Sequence, residues 1–291
     1  MLKQGHLLGD SVISTRDLGE QLAKISLDLA KRDNATYAEL RLVNTRTEDI
    51  TVVNENPASE EASTIGVGIR VLYKDSGWGF ADTDELEHDS IRETTKKALS
   101  LAKGASKLGI KVTRASEPVH VDKWETPVKK DPFRVPTETK YELLQDTTKR
   151  MKENDIVARR AQMTFAIIEK YFANSEGSKI FQVISNASAS AIVAAKGPTG
   201  VQRRSVQQST GGGYELIDEM DLPDQALEIT KDALALTRAP TIQEGKSDII
   251  LSGDQVALQV HESCGHPIEL DRVLGYEANF AGRSFLSPDQ L

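Results

Sequence analysis

The amino-acid sequence predicts an α+β protein. It reads as an N-terminal lobe of helices and antiparallel sheet, a β-rich middle with long antiparallel strands, and the start of a truncated C-terminal domain. Three observations carry this reading. Apolar residues recur with a helical period at 15–31, a capping pattern opens a second helix near 85, and the segments between them alternate with a period of two. Three long β-rich stretches, 156–174, 179–195 and 200–214, are separated by Asn174-Ser175-Glu176-Gly177 and Lys196-Gly197-Pro198-Thr199-Gly200, turn signals where an antiparallel meander needs them. Only about fifty residues follow Pro240, few for an independent core.

The elements follow in order. Leu18, Leu22, Ile25 and Leu29 are spaced by 4, 3 and 4 residues, which gathers them on one face of a helix over Thr15–Lys31. Tyr37 to Asn54 alternates at Leu40, Leu42, Ile50 and Val52 and predicts two half-buried strands. Thr64–Tyr73 and Gly77–Ala81 predict a hairpin turning at Lys74-Asp75-Ser76-Gly77. Asp84-Glu85-Leu86-Glu87 is close to a capping box, so a helix should run from about Glu85 to Lys103. Four prolines between Ser116 and Pro136 block helix interiors and central strands, which predicts a linker or an extended crossover. Helices are expected at about Thr137–Asn154 and Pro223–Arg238, the second ended by Ala239-Pro240. A short buried strand at Asp248–Leu251 should then lead through Ser252-Gly253-Asp254 into a last helix. The predicted boundaries are 1–115 for the N-terminal lobe, 116–136 for the linker, 137–238 for the helix and meander, and 239–291 for the incomplete last domain.

Composition narrows the function classes. A chain of 291 residues with 38% hydrophobic and 27% charged residues belongs with soluble globular proteins, not with disordered or fibrous ones. Its 36 Lys+Arg against 44 Asp+Glu leave a net charge of −8, which argues against a general nucleic-acid binder. The pairs Arg159-Arg160 and Arg203-Arg204 read as solvated strand edges. One cysteine, Cys264, excludes an internal disulfide framework and points to a reducing compartment. The N-terminal residues lack a secretory signal pattern, and the uncharged stretch Ile180–Ala195 falls short of the ~20 residues a membrane span needs. The expectation is a cytoplasmic protein with neither nucleic acid nor membrane as partner.

Most candidate motifs read as structural. Gly66-Val67-Gly68 lacks the third glycine of a dinucleotide fingerprint and lies inside a strand. Gly211-Gly212-Gly213 reads as a turn, with a substrate-facing loop as the minority reading. His6, His88 and His120 stand alone among polar residues and are read as surface residues.

His261-Glu262-Ser263-Cys264-Gly265-His266-Pro267 is different. Zinc proteases carry H-E-x-x-H, two imidazoles four residues apart on one helical face. Here the spacing is five, and on an ideal α-helix five steps of about 100° leave the two rings about 140° apart. The local sequence offers a remedy. Gly265 suits the left-handed residue that ends a helix, and Pro267 disfavours the α conformation at His266. The helix should therefore stop near Cys264, with His266 extended and its ring folded back beside His261, and with Glu262 placed as a general base. The residues alone leave this metal site in balance with a plain helix C-terminus stopped by His-Pro and holding a buried Glu–His hydrogen bond.

The motif HESCGHP with the following IELDRVLGYEANFAGRSF resembles the TldD/PmbA family of peptidase-like proteins, whose TldD branch carries an H-E-x-x-x-H metal motif. GVGIRVLYKDSGWGFADTDEL is similar to that family's N-terminal signature, and SDIILSGDQVALQVHE to the strand and helix leading into its motif. The resemblance implies that the last segment opens a metallopeptidase domain. It also implies a zinc-dependent peptidase (Zn2+ as cofactor) acting on unfolded peptides, with Glu262 activating a metal-bound water, and working as a homodimer or as a heterodimer with a PmbA/TldE-like subunit. By the same resemblance His261 and His266 are metal ligands and Glu262 the catalytic base. The family's third ligand is a cysteine far downstream, expected beyond Leu291, so Cys264 is not its counterpart and the chain is expected to be a truncated form, weak or inactive alone. Glu269 and Asp271 are candidates to accept the other N–H of a ligating imidazole, against a plain reading as helix or loop charges. The alternative is a non-catalytic subunit that binds a peptide or partner by strand addition on the surface around 156–214. A regulator acting on DNA finds no support in charge or motif.

Overall fold

In chain order the elements of the computed structural model, which describes residues 5–7 and 12–290, begin with a short strand pair, β1 (Gly5–Leu7) and β2 (Val12–Ser14). Then come α1 (Thr15–Arg32), β3 (Ala35–Val53), β4 (Asn56–Tyr73), β5 (Gly77–Thr83), α2 (His88–Ser106) and β6 (Val121–Glu125). They are followed by α3 (Thr137–Arg150), β7 (Ile156–Asn174), β8 (Lys179–Gly197), β9 (Gly200–Gly211), α4 (Glu215–Met220) and α5 (Leu222–Leu236). Residues up to Ala239 form one compact unit and those from Pro240 a second. No helix among the described residues is long and apolar enough to cross a membrane.

The first unit is built on one seven-stranded sheet, in which the five strands in the order β5-β4-β3-β7-β8 are antiparallel. The outer edge of β8 is shared: its first residues pair in parallel with β6 and the rest antiparallel with β9. The α+β class and the long antiparallel meander expected from the turn signals are therefore present. The crossover at 116–136 is extended over most of its length, contributes β6 to the sheet, and makes one 3₁₀ turn at Pro132–Arg134. Its far end is pinned by Glu215, whose carboxylate accepts backbone N–H groups of Lys129, Lys130 and Gly213.

Tyr37 to Asn54 forms one strand and not two. Along β3 the even positions Leu40 and Leu42 are buried under α1 and α2, and Ile50 and Val52 are buried against α3. An even separation keeps all four on one face. Between them the same face carries Asn44 and Glu48, polar positions that break the apolar alternation and hide the continuity of the strand. Both are satisfied from neighbouring elements. Asn44 Nδ2 donates to Thr15 Oγ1 (3.1 Å) and Glu169 Oε2 (3.0 Å), and Lys140 Nζ of α3 meets Glu48 Oε2 at 2.5 Å with both side chains buried. A polar seam thus separates two apolar clusters on one sheet face.

The hairpin glycines have a packing reason. Gly77 and Gly79 lie against α2, where a Cβ on Gly79 would sit 2.0 Å from the Ala98 carbonyl oxygen and one on Gly77 2.2 Å from that of Ala102. The backbones of β5 and α2 therefore touch. Two smaller differences from expectation follow local chemistry. A short helix, α4, precedes α5 and is set off from it by Asp221 in the left-handed conformation (φ 47°). The strand expected at Asp248–Leu251 does not form: no strand lies beside it among the described residues, and Ile250 is 98% exposed.

Two outcomes test this fold. Losing one partner of a buried ion pair strands a charge and typically costs about 3–5 kcal/mol. Lys140→Met should destabilise the chain by that order in urea unfolding, and the double replacement with Glu48→Leu should recover most of the loss. Gly79→Ala should cost about 3 kcal/mol or more through the forced separation of α2 from β5, whereas Gly66→Ala, whose Cβ would meet only Thr83 O at 3.6 Å, should leave the unfolding midpoint nearly unchanged.

Candidate metal centre

In the second unit, α6 (Gly253–Val260) leads into the motif. The backbone then widens. His261–Gly265 form a π turn, closed by a hydrogen bond from the His266 N–H to the His261 carbonyl oxygen, and His266–Ile268 continue as a 3₁₀ turn before α7 (Leu270–Leu274). The expected helix stop is therefore corrected. Gly265 (φ −59°, ψ −59°) is helical and not left-handed, and His266 (φ −63°, ψ −40°) is helical and not extended. The reason lies in Pro267. In a continuing α-helix its ring would press on the carbonyl four residues back, Ser263, and its missing N–H would leave that carbonyl unpaired. A turn with one extra residue moves that carbonyl aside, and proline is tolerated in the first turn of the 3₁₀ segment that follows.

The π turn also resolves the spacing problem. Residues five apart on an α-helix diverge, but here they are the two ends of one i→i+5 hydrogen bond and share a side. The His261 and His266 rings lie edge to face with centroids 4.6 Å apart. Glu262 sits between them, Oε1 3.8 Å from His261 Nε2 and Oε2 3.6 Å from His266 Nε2. One ligand atom from each of His261, Glu262 and His266 lies within 4.8 Å of the others. Two ligands of a tetrahedral zinc lie about 3.4 Å apart, so small side-chain rotations suffice to close the site. Imidazole nitrogens beside a carboxylate are a donor set that suits zinc.

His266 Nδ1 is 2.8 Å from Glu269 Oε1, and Glu269 Oε2 is 2.6 Å from Arg272 Nε. The hydrogen bond from His266, with the Arg272 charge behind it, holds the Glu269 carboxyl below its usual range. Asp271, the other candidate carboxylate, instead accepts the Arg272 backbone N–H. Cys264 is exposed and outside the cluster. Arg272 was not anticipated; its signal was the i,i+3 spacing from Glu269. The segment after the motif folds back on it, Ser284 Oγ donating to the Pro267 carbonyl at 2.7 Å.

Comparison with known proteins gives two family matches, the PmbA/TldA metallopeptidase domain 1 over residues 38–102 and the PmbA/TldA metallopeptidase central domain over residues 130–238. Together they cover more than half of the chain; neither reaches His261. A metalloprotease of Methanocaldococcus jannaschii is 29% identical over 248 residues, 84% of this chain and 54% of that protein. A metalloprotease of Methanothermobacter thermautotrophicus is 25% identical over 91% of this chain and 57% of its own length. The chain spans little more than half the length of these relatives. A protein of Thermotoga maritima described as a candidate modulator of a DNA gyrase shares the fold, with a TM-score of 0.63 at 17% identity over 78% of this chain and 50% of that one. One from Bacteroides thetaiotaomicron does so at 0.60 and 16%, over 74% and 50%.

The π turn makes the site sensitive to length. Deleting Ser263 together with Pro267→Ala restores the four-residue spacing and removes the ring that an α turn cannot accommodate, so zinc affinity should stay within about tenfold of the parent chain, that is within about 1.4 kcal/mol. Inserting one alanine at the same point should abolish zinc binding, as read by chelator competition.

Proposed function

This chain belongs to the PmbA/TldD family, and from that premise we propose that it carries the metal-binding motif of a zinc-dependent peptidase that hydrolyses unstructured peptides. The observation that supports the reading best is the i→i+5 closure of His261–His266, which puts two imidazoles and one carboxylate on one side of the chain. In this reading His261 and His266 hold the metal through Nε2. The third ligand, a cysteine by resemblance to the family, comes from sequence beyond Leu291. A bound zinc supplies Lewis-acid polarisation of the attacking water and of the scissile carbonyl. Glu262, between the two rings, takes the proton from that water and passes it to the leaving amine. The assembly is a homodimer or a heterodimer with a PmbA/TldE-like subunit, acting in the cytoplasm, with an N-terminal lobe to about 115, a crossover, a middle domain to 238 and a metallopeptidase domain from 239.

One observation favours a second reading, a subunit that binds peptides without cleaving them. Among the described residues β9 pairs only with β8, which leaves its outer edge free for strand addition. The two readings part on one variant. In the full-length protein Glu262→Gln should keep zinc affinity within a few-fold and lower hydrolysis of an unfolded substrate by about 10²–10⁴-fold. Full activity in that variant would remove Glu262 from the mechanism, and stoichiometric peptide binding with no hydrolysis by the zinc-loaded parent would favour the second reading. Zinc should also bind more weakly to this chain than to one extended by the downstream sequence, because catalytic zinc sites usually take three protein ligands.

A further inference from the structure

We propose that Glu269, clamped by Arg272, is the positioning residue that decides which nitrogen of His266 faces a metal. The functional meaning of this assignment rests on the metal-centre reading above; its geometry rests on hydrogen bonds within this chain. A neutral imidazole carries one N–H, and the hydrogen bond made by one nitrogen determines what the other can do. The terminal torsion of histidine is broad and roughly two-fold, so an unheld ring exchanges its two faces freely. An ionised carboxylate only accepts. With Glu269 Oε1 2.8 Å from Nδ1, the proton belongs on Nδ1. The Nε2 lone pair is then left on the side of Glu262, 3.6 Å away.

Glu269 is itself held. Its second oxygen is occupied by Arg272 Nε at 2.6 Å, so each carboxylate oxygen has its own partner. The backbone sets this up. Glu269 is the one extended residue (φ −61°, ψ 120°) between the 3₁₀ turn and α7, its N–H donates to the His266 carbonyl at 3.2 Å, and its own carbonyl accepts from Val273 at 3.0 Å. A side chain at that break reaches back over His266, and Arg272, three residues on, reaches back over Glu269. His261 has no comparable support: its ring packs edge to face on His266, and among the described residues its ring nitrogens make no hydrogen bond, the Glu262 carboxylate standing 3.8 Å away. The two histidines are thus unequal, His266 preset and His261 free to adjust.

The decisive measurement is the tautomer of each histidine in the metal-free chain, read from ¹⁵N–¹H correlation spectra at a pH where both rings are neutral. His266 should be the Nδ1–H form and His261 an exchanging mixture. Glu269→Ala should release His266 to the same mixture and lower zinc affinity about 10–100-fold by chelator competition; Arg272→Met should move both readouts in the same direction by less. A His266 that carries its proton on Nε2 in the parent chain overturns the assignment, with no variant needed. So does a Glu269→Ala chain with unchanged tautomer and unchanged zinc affinity. Failure of the full-length protein to bind zinc would overturn the metal-centre reading instead, while the tautomer spectra would still decide whether Glu269 positions His266.

Discussion

The large sheet of the first unit rests on a single continuous pairing: β3, β7 and β8 each run for 19 residues, and β3 and β7 pair without a slip from Glu39–Asn174 to Val53–Arg160. Side chains alternate with a period of two, so a slip of one residue would turn both apolar clusters to the opposite face at once. Leu40 and Ile50 are therefore not independent choices. The helices α1 and α2 at one end and α3, α4 and α5 at the other pack on a surface whose phase is carried through the strand between them.

The polar seam in that stretch shapes the same surface. Asn44, Glu48 and Glu169 would each cost free energy if buried alone. They are met by Thr15 at the start of α1 and by Lys140 on α3, so burial of each polar group is conditional on a helix standing in the right place. The glycines of β5 act by absence of side chain. Only a residue without Cβ lets the strand backbone lie against the carbonyls of α2. The Gly-Trp-Gly-Phe-Ala stretch that marks the family resemblance is thus explained by packing before any functional role is needed.

The second unit works by a different device. Two imidazoles five residues apart diverge on an α-helix, and here the chain changes helix type for one turn, which brings them to one side. The bond that closes the turn joins the backbones of the same two residues whose side chains approach, so local hydrogen bonding and site geometry are one event. Pro267 supplies the incompatibility with α-helix, and Glu269 and Arg272 order the ring that follows.

Features that depend on neighbours a few residues away can be read from the amino-acid order alone. The period of α1, the turns at Asn174–Gly177 and Gly197–Gly200, the extended crossover at 116–136 and the candidates His261, Glu262, His266 and Glu269 are all legible from spacing and from proline and glycine chemistry. The unity of β3 is not, because Asn44 and Glu48 interrupt the apolar alternation and only Thr15, Glu169 and Lys140, from other elements, satisfy them. Nor is the π turn. Local rules for Gly265 and Pro267 favoured a helix stop, whereas the folded chain holds both His266 and Gly265 in helical conformation with an i→i+5 bond and a return segment tied to Pro267 by Ser284. Helix preferences of single residues are worth about 1 kcal/mol or less, with about 3 for proline, so a hydrogen bond or a buried partner supplied by another part of the chain can decide between conformations that local preference leaves close.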